Sequence, residues 1–109
     1  KLVSHITGKY HVKKVLAIVW QGEKAIEKLR KLAGNTNPEI AEPRTIRGKY
    51  GRVHSKTDVF ENVIHVSDSE KSAEKEIRLW FSPSELLHTI YPVKKEKCGK
   101  CKIESLSWN

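Results

Sequence analysis

The sequence predicts a domain that combines α-helices with β-strands. Two short apolar runs, residues 15–20 and 63–66, have the continuous β-branched character of buried strands. Two longer stretches, one within residues 23–33 and one after Ser69, instead repeat apolar residues at helical spacing. A length of 109 residues fits one domain, because a second hydrophobic core would have too little chain left.

The first half of the chain opens with the predicted end of a helix at residues 2–6, closed by Thr7-Gly8. Residues 15–20 follow as a buried strand that stops at Gln21-Gly22. Residues 23–33 form a helix with one apolar stripe, which Gly34 ends. Residues 35–51 lack periodicity and carry two prolines and two glycines. A loop of this length in a compact domain is typical of a functional segment.

The second half begins with a polar turn over residues 56–61 and the strand at 63–66. Ser67 to Glu70 has the Ser-x-x-Glu form of a capping box, so a helix begins there and ends before Ser82-Pro83. Residues 84–87 add a turn. Residues 89–109 are predicted to be a basic tail outside the domain of residues 1–88.

The tail contains the CxxC spacing of Cys98 and Cys101, which is half of a zinc site or a redox pair. His88 is a candidate third ligand, but the chain supplies no fourth. We therefore expect a reduced, solvent-exposed pair, and assign no metal ligands.

Composition limits the classes of partner. The net charge is +8, and residues 1–50 carry eleven basic and four acidic side chains against ten and nine in the remainder. The first half therefore favours anions such as nucleotide phosphate, nucleic acid or an acidic surface. The longest apolar run has six residues, too short to span a bilayer, and no secretory pattern opens the chain. We expect a cytoplasmic protein that does not enter membranes.

His65 is the most suggestive single residue, because it ends a short apolar run just before a capped helix start. Free amides at a helix N-terminus suit phosphate, and a neutral imidazole there can act as a nucleophile. The structural alternative is a histidine hydrogen-bonded in the core or titrating at the surface. The long loop adds hydroxyl and guanidinium donors for phosphate, namely Thr36, Arg44, Thr45 and Arg47. The alternative there is a solvated basic loop.

Four blocks of sequence carry a resemblance to a known family. They are Asn35-Thr36-Asn37-Pro38, Thr45-Ile46-Arg47-Gly48, the run from Asn62 to Ser69, and Ser72 to Ile77 with Trp80-Phe81. In this order they resemble the nucleoside diphosphate kinases, whose active-site signature is the Asn-x-Ile-His-x-Ser-Asp-Ser run. The resemblance covers residues 1–88.

The resemblance implies ping-pong transfer of the γ-phosphate from a nucleoside triphosphate to a nucleoside diphosphate through a phosphohistidine. Carried over by position, His65 is the nucleophile, Glu76 holds the imidazole through its other ring nitrogen, and Ser67 supports both. Nucleotide binding falls to Arg30, Thr36, Arg47 and Asn62. Mg²⁺ is expected on the nucleotide phosphates. Strict strand alternation places Asn62 and His65 on opposite faces, so a local turn or bulge is required between them.

The fold implied by the resemblance is α+β, a ferredoxin-like antiparallel sheet with covering helices, of which we expect only the second half of the βαββαβ unit. The family also implies a homo-oligomer, either a tetramer or a hexamer. Two departures stand out. Arg44 replaces a family glycine, which would be strained if that position has φ > 0. The family's phosphate-binding lysine on its first strand has no counterpart, so we expect an N-terminal part of the domain before Lys1.

Two other functions remain open. A non-catalytic or split-enzyme relative that acts as an assembly partner would explain the absent lysine strand. A small basic nucleic-acid-binding protein would explain the charge of +8. It would not explain Asn62, His65 and Glu76 in family order.

Overall fold

The structure, a computed structural model, describes residues 14–54, 56–100 and 104–109. The predicted helix end at residues 2–6 and Cys101 lie outside these ranges. The chain divides into two compact units, of which the first ends at Asp68 and the second begins at Ser69. Each unit contains helix and one antiparallel strand pair, so the predicted α+β class with antiparallel strands is confirmed.

The first helix, α1 (Ala25–Ala33), lies where helical spacing predicts it. It begins two residues later than expected, because Lys24 has left-handed backbone angles, with φ 51° and ψ 35°. Gly34 ends the helix as predicted, with φ 90°, and its N–H donates to the Arg30 carbonyl at 3.0 Å. A positive φ of this kind is the conformation for which a helix end selects glycine.

The predicted loop contains a short helix, α2 (Ile46–Tyr50), which periodicity does not reveal because it has only five residues. Thr45 caps it: the Oγ1 accepts from the Gly48 N–H at 3.1 Å and donates to the Glu42 carbonyl at 2.6 Å. Strand β1 (Arg52–Val53) follows and pairs antiparallel with β2 (Phe60–Glu61). The predicted polar turn therefore becomes the connection of a small hairpin.

Neither predicted strand forms. Residues 15–20 are irregular, and Leu16 and Trp20 are 83% and 65% exposed. An isolated extended segment needs a neighbour for its backbone hydrogen bonds, and none of the described strands pairs with it. Residues 63–66 are also irregular, since Val63 has φ 57° and breaks the extended run that begins in β2.

The buried centre of the first unit is made of small and polar groups. Among the described residues, the buried apolar ones are Ala33, Pro38 and Ala41, and Thr45 and Arg47 are buried as well. No large side chain in the described ranges is fully buried. Hydrogen bonds to backbone carbonyls therefore carry much of the organisation that apolar packing supplies in larger cores.

The second unit begins with α3 (Glu70–Trp80), which confirms the predicted helix. Its cap is Ser69, whose Oγ accepts from the Ser72 N–H at 3.1 Å, so the prediction of Ser67 as the cap is wrong by two residues. A 3₁₀ turn (Pro83–Glu85) follows, close to the predicted turn. Glu85 Oε2 accepts from the Ser82 N–H at 2.7 Å and fixes the start of that turn. No helix within the described residues is long and apolar enough to cross a membrane.

The basic tail contains a hairpin that the sequence analysis missed. Strand β3 (Val93–Lys97) pairs antiparallel with β4 (Glu104–Trp108), with Val93 opposite Trp108 and Lys97 opposite Glu104. Strand β3 is charged apart from Val93, and only β4 alternates polar and apolar residues, at Leu106 and Trp108, so the period-of-two signal is limited to one short strand. Cys98 is disulfide-bonded, and the expectation of a reduced thiol there is wrong. Among the described residues, no cluster of three His, Cys, Asp or Glu side chains is arranged for a metal ion.

The hairpin is anchored to the rest of its unit through Arg78 and Trp108. The guanidinium carbon of Arg78 lies 5.6 Å from the ring centroid of Tyr91 and 5.7 Å from that of Trp108. Its nitrogens also donate to Glu74 Oε1 at 2.6 Å and to the Asn109 carbonyl at 2.8 Å. Trp108 Nε1 donates to the Phe81 carbonyl at 2.7 Å. Cation–π and hydrogen-bond contacts together hold the last strand.

Replacing Trp108 with Phe tests this anchor. The variant keeps an aromatic ring near Arg78 but removes the Nε1–H donor, so the Phe81 carbonyl loses its bond. We expect the free energy of unfolding to fall by about 1–2 kcal/mol, measured by urea denaturation. Trp80→Phe is the control, because Trp80 is 48% exposed at the end of α3. An equal fall in the free energy of unfolding of the two variants would contradict the anchoring role of Trp108.

Candidate functional site

Arg47 lies at the centre of the candidate site. Its side chain projects from α2 and is buried, with 7% of the residue exposed. Nη1 donates to the Gly34 carbonyl at 2.9 Å, and Nη2 donates to the Ile64 carbonyl at 3.0 Å. The third type of donor, Nε, is buried with no hydrogen-bond partner. The guanidinium thus bridges the end of α1 and the residue that precedes His65.

Positive charge at this centre is not neutralised by carboxylates. Burial lowers the pKa of Arg47 below its ordinary value, and the positive charge of Arg30 lowers it further. Arg30 lies in the last turn of α1 and is exposed. Among the described residues, the ion pairs of the first unit join other side chains, not these two. Two guanidinium groups that repel one another favour an anion beside them.

The loop after α1 is shaped by two successive turns around Thr36. Asn35 Oδ1 accepts from the Asn37 N–H at 2.9 Å, and Asn37 Oδ1 accepts from the Glu39 N–H at 3.0 Å. Asparagine side chains that bond the backbone two residues on replace a regular helix with a tight turn. Thr36 lies inside the first turn and is exposed. The two asparagine side chains of Asn-Thr-Asn thus determine the local backbone conformation of this loop.

Asn62 joins that loop to the segment that carries His65. Its Nδ2 donates to the Thr36 carbonyl at 3.2 Å. Immediately after it, the Ile64 N–H donates to the Asn62 carbonyl at 2.7 Å and closes a three-residue turn centred on Val63, with φ 57°. This confirms the expectation of a local turn between Asn62 and His65. A β-branched residue in this region is a strained conformation that costs about 1–3 kcal/mol.

The remaining predicted site residues fall in both units. His65 is exposed and Ser67 is half-buried, and both lie in the irregular stretch that ends the first unit. Glu76 lies in the second unit, half-buried on α3. The structure therefore brings Arg30, Thr36, Arg47, Asn62 and the backbone next to His65 into one unit, and describes Glu76 within the other.

Thr45 and two glycines are further site-forming residues whose structural role the sequence analysis did not assign. A Cβ at Gly34 would lie 2.6 Å from Thr45 Cβ, and one at Gly48 would lie 2.7 Å from the Glu42 carbonyl carbon. The end of α1 and the start of α2 therefore approach closely, which brings Arg47 within reach of the Gly34 carbonyl. In the sequence, only two glycines indicate this contact: Gly34, which follows the apolar stripe of α1, and Gly48, which ends Thr-Ile-Arg-Gly.

Arg44, which replaces a family glycine, does not strain the backbone. Within the described ranges the non-glycine residues with positive φ are Lys24, Asp58 and Val63. The Arg44 side chain is 85% exposed, and its Nε donates to Glu42 Oε2 at 2.9 Å. Arg44 is therefore a surface residue in an exposed ion pair.

Comparison with known proteins identifies what this arrangement is similar to. The family model described as "Nucleoside diphosphate kinase" matches residues 2–86. A nucleoside diphosphate kinase from Cyanothece sp. is 47% identical over 73 residues, which cover 67% of this chain and 46% of the relative. One from Staphylococcus epidermidis is 45% identical over 86 residues, covering 79% and 52%. The chain thus spans about half the length of the relatives that it matches.

A solved structure is also similar to this chain. The crystal structure of an NDP kinase from Pyrobaculum aerophilum superposes with a TM-score of 0.56 at 43% sequence identity. The matched region covers 62% of this chain and 40% of that one. The resemblance that the sequence motifs indicated is therefore confirmed by sequence and by fold.

Replacing Gly34 with Ala tests the close approach of α1 and α2. A methyl group at φ 90° is strained and collides with Thr45, so we expect the free energy of unfolding to fall by about 1–3 kcal/mol. Gly22→Ala is the matched control, because no heavy atom lies within 4 Å of its added Cβ. Its effect should stay within about 0.5 kcal/mol. Denaturant unfolding measures the free energy of unfolding of both variants. An unchanged value for Gly34→Ala would refute the close approach of α1 and α2.

Proposed function

The chain belongs to the nucleoside diphosphate kinase family, and from this membership we propose that it transfers the γ-phosphate of a nucleoside triphosphate to a nucleoside diphosphate. The observation that carries the proposal is the pair of guanidinium groups, Arg30 and Arg47, with no carboxylate partner in the described ion pairs. Arg47 also contacts the carbonyl next to His65. Phosphoryl transfer requires mainly positioning and positive charge around the moving group.

The proposed reaction has two symmetrical steps. A ring nitrogen of His65 attacks the γ-phosphorus, a phosphohistidine forms, and the bond to the bridging oxygen breaks to release the diphosphate. A second diphosphate then takes the phosphoryl group through a terminal oxygen of its β-phosphate. Splitting the transfer in this way lets one site serve both donor and acceptor. The exposure of His65 is compatible with attack on a nucleotide from solvent.

The other residues have supporting roles in this proposal. Arg30, Thr36 and Arg47 bind phosphate oxygens, and Asn62 lies on the sugar or phosphate side. Glu76 holds the imidazole through its other ring nitrogen, and Ser67 supports both. Mg²⁺ enters with the nucleotide as part of the substrate, since oxygen atoms of phosphate are ligands that this ion prefers.

The proposal extends to the setting of the protein. Nucleoside tri- and diphosphates are its partners, and a homo-oligomer, tetrameric or hexameric, is the expected assembly. A cytoplasmic location is proposed with them. We also propose that the kinase domain extends to about residue 88, with residues 89–109 as an appended tail.

Phosphorylation of His65 is the direct test. Incubation with labelled ATP should give an acid-labile, base-stable phosphoprotein that passes its label to GDP, and His65→Ala should abolish both reactions. His88→Ala is the matched control, since His88 is an exposed histidine outside the family motif. Normal labelling and turnover by His65→Ala would refute the proposal.

A second candidate function is that of a split-enzyme partner. The observation favouring it is the exposed apolar segment 15–20, whose Leu16 and Trp20 are 83% and 65% exposed. Such a segment can complete a sheet with strands supplied by another chain.

Mixing this chain with the N-terminal half of a relative distinguishes a kinase that is active alone from a split-enzyme partner. The N-terminal half of the Staphylococcus epidermidis relative should raise phosphate transfer at least about tenfold if apolar burial of segment 15–20 completes the site. Leu16→Asp should prevent this gain, while Leu87→Asp, at an equally exposed position outside the segment, should not. If the chain is fully active alone and insensitive to the fragment, the split-enzyme function is excluded.

A further inference from the structure

Two side chains join the loop around Thr36 to the segment that carries His65. Arg47 connects the Gly34 carbonyl to the Ile64 carbonyl, with donor–acceptor distances of 2.9 and 3.0 Å. Asn62 reaches the Thr36 carbonyl at 3.2 Å. These contacts engage backbone carbonyls, which are fixed points of the chain. Both nucleotide-binding candidates therefore have contacts that do not depend on a nucleotide.

Arg47 is buried with one donor atom, Nε, unpartnered, so its two carbonyl contacts are the hydrogen bonds that offset the cost of burying its charge in the protein without ligand. A buried guanidinium is costly unless its donors are satisfied, and no described carboxylate forms an ion pair with it. Hydrogen bonds from a charged donor are stronger than those between neutral groups. The planar guanidinium can serve two acceptors at once, which a lysine ammonium at the end of a flexible chain does less well.

The two contacts also lie on either side of the strained turn. Asn62 precedes Val63, and the Ile64 carbonyl follows it in the peptide bond to His65. Strained backbone persists only where the surrounding structure holds it. Arg47 fixes the peptide that leads directly into His65, and Asn62 fixes the residue before the turn. Losing either contact would allow this turn to relax and move the imidazole.

We propose that Arg47 and Asn62 act together as positioning residues, a carbonyl clamp that holds the Thr36 loop against the peptide preceding His65. The clamp goes beyond the phosphate-binding role, because it operates in the nucleotide-free protein. The proposal rests on the proposed function only in taking His65 as the reactive group.

The nucleotide-free protein separates a clamp from a phosphate ligand. If Arg47 served only to bind phosphate, Arg47→Met would remove a buried charge and its repulsion from Arg30, and stability would rise. If Arg47 is a clamp residue, the stability of Arg47→Met falls instead, because the Gly34 and Ile64 carbonyls lose their donors. We expect the Tm of Arg47→Met without nucleotide to fall by about 5–10 °C, with Arg44→Met, at an exposed arginine, as the unchanged control.

Hydrogen exchange locates the effect. Without nucleotide, amides of residues 34–37 and 62–66 should exchange at least about tenfold faster in Arg47→Met. Arg47→Lys should behave nearly the same way, because the retained charge cannot bridge both carbonyls. Unchanged or slower exchange in these two segments would overturn the clamp.

Single-turnover phosphorylation then separates positioning from a purely structural contribution. At saturating ATP, and at a temperature where the variant is fully folded, we expect the rate constant for His65 phosphorylation to fall about ten- to a hundredfold in Arg47→Lys. A rise in KM alone would assign Arg47 to phosphate binding and overturn the proposal. A loss of stability with an unchanged rate constant would also overturn it.

Asn62→Ala is the second variant, to be used if the Arg47 variants do not fold. It removes one contact to the Thr36 carbonyl and should increase exchange in the same two segments, with a smaller fall in the rate constant. No change in either measurement would overturn the clamp. If the wild-type protein never becomes phosphorylated, the proposed function fails, whereas melting and exchange still decide whether the clamp exists.

Discussion

One buried guanidinium constrains the arrangement of the first unit. Arg47 is buried, as are Ala33, Ala41 and Thr45, and no large side chain among the described residues is fully buried. The two buried alanines contribute little apolar area, because their side chains are small. The carbonyls of Gly34 and Ile64 are instead held at hydrogen-bond distance from a single planar group. The end of α1 and the approach to His65 thus share one point of attachment.

The two longer helices, α1 and α3, were predictable because their determinants are local. Apolar spacing and Gly34 define α1, and the Ser-rich start with the Ser82-Pro83 stop defines α3. The strands were not, because pairing depends on partners far along the chain. Segment 15–20 has the composition of a buried strand yet pairs with none of the described strands, whereas β3 is mostly charged and still pairs with β4. Composition describes a suitable strand and does not supply its neighbour.

For the candidate site, sequence motifs identified the residues but not their contacts. Thr36 and Arg47 were named as phosphate donors of the long loop and Asn62 from family order, and their side chains were assigned to nucleotide. The hydrogen bonds that Arg47 and Asn62 donate to backbone carbonyls join residues 13 to 26 positions apart, and no local sequence pattern indicates them. The turn at Val63 was foreseeable in principle, since alternation excluded an extended run from Asn62 to His65. Its residue and its left-handed φ were not, because valine rarely adopts that conformation.

The uneven charge of the chain acquires a physical meaning from this geometry. Eleven basic residues against four acidic ones in residues 1–50 indicated an anionic partner of unspecified kind. Two of those residues, Arg30 and Arg47, now lie close enough that one lowers the pKa of the other. Burial is the larger cause of that lowered pKa and the Arg30 charge the smaller one; under the proposed function, a bound phosphate would offset the repulsion between the two guanidinium groups. Because a ligand that binds only the folded state stabilises it, the proposed phosphate binding would couple nucleotide affinity to the stability of this unit through the same two side chains.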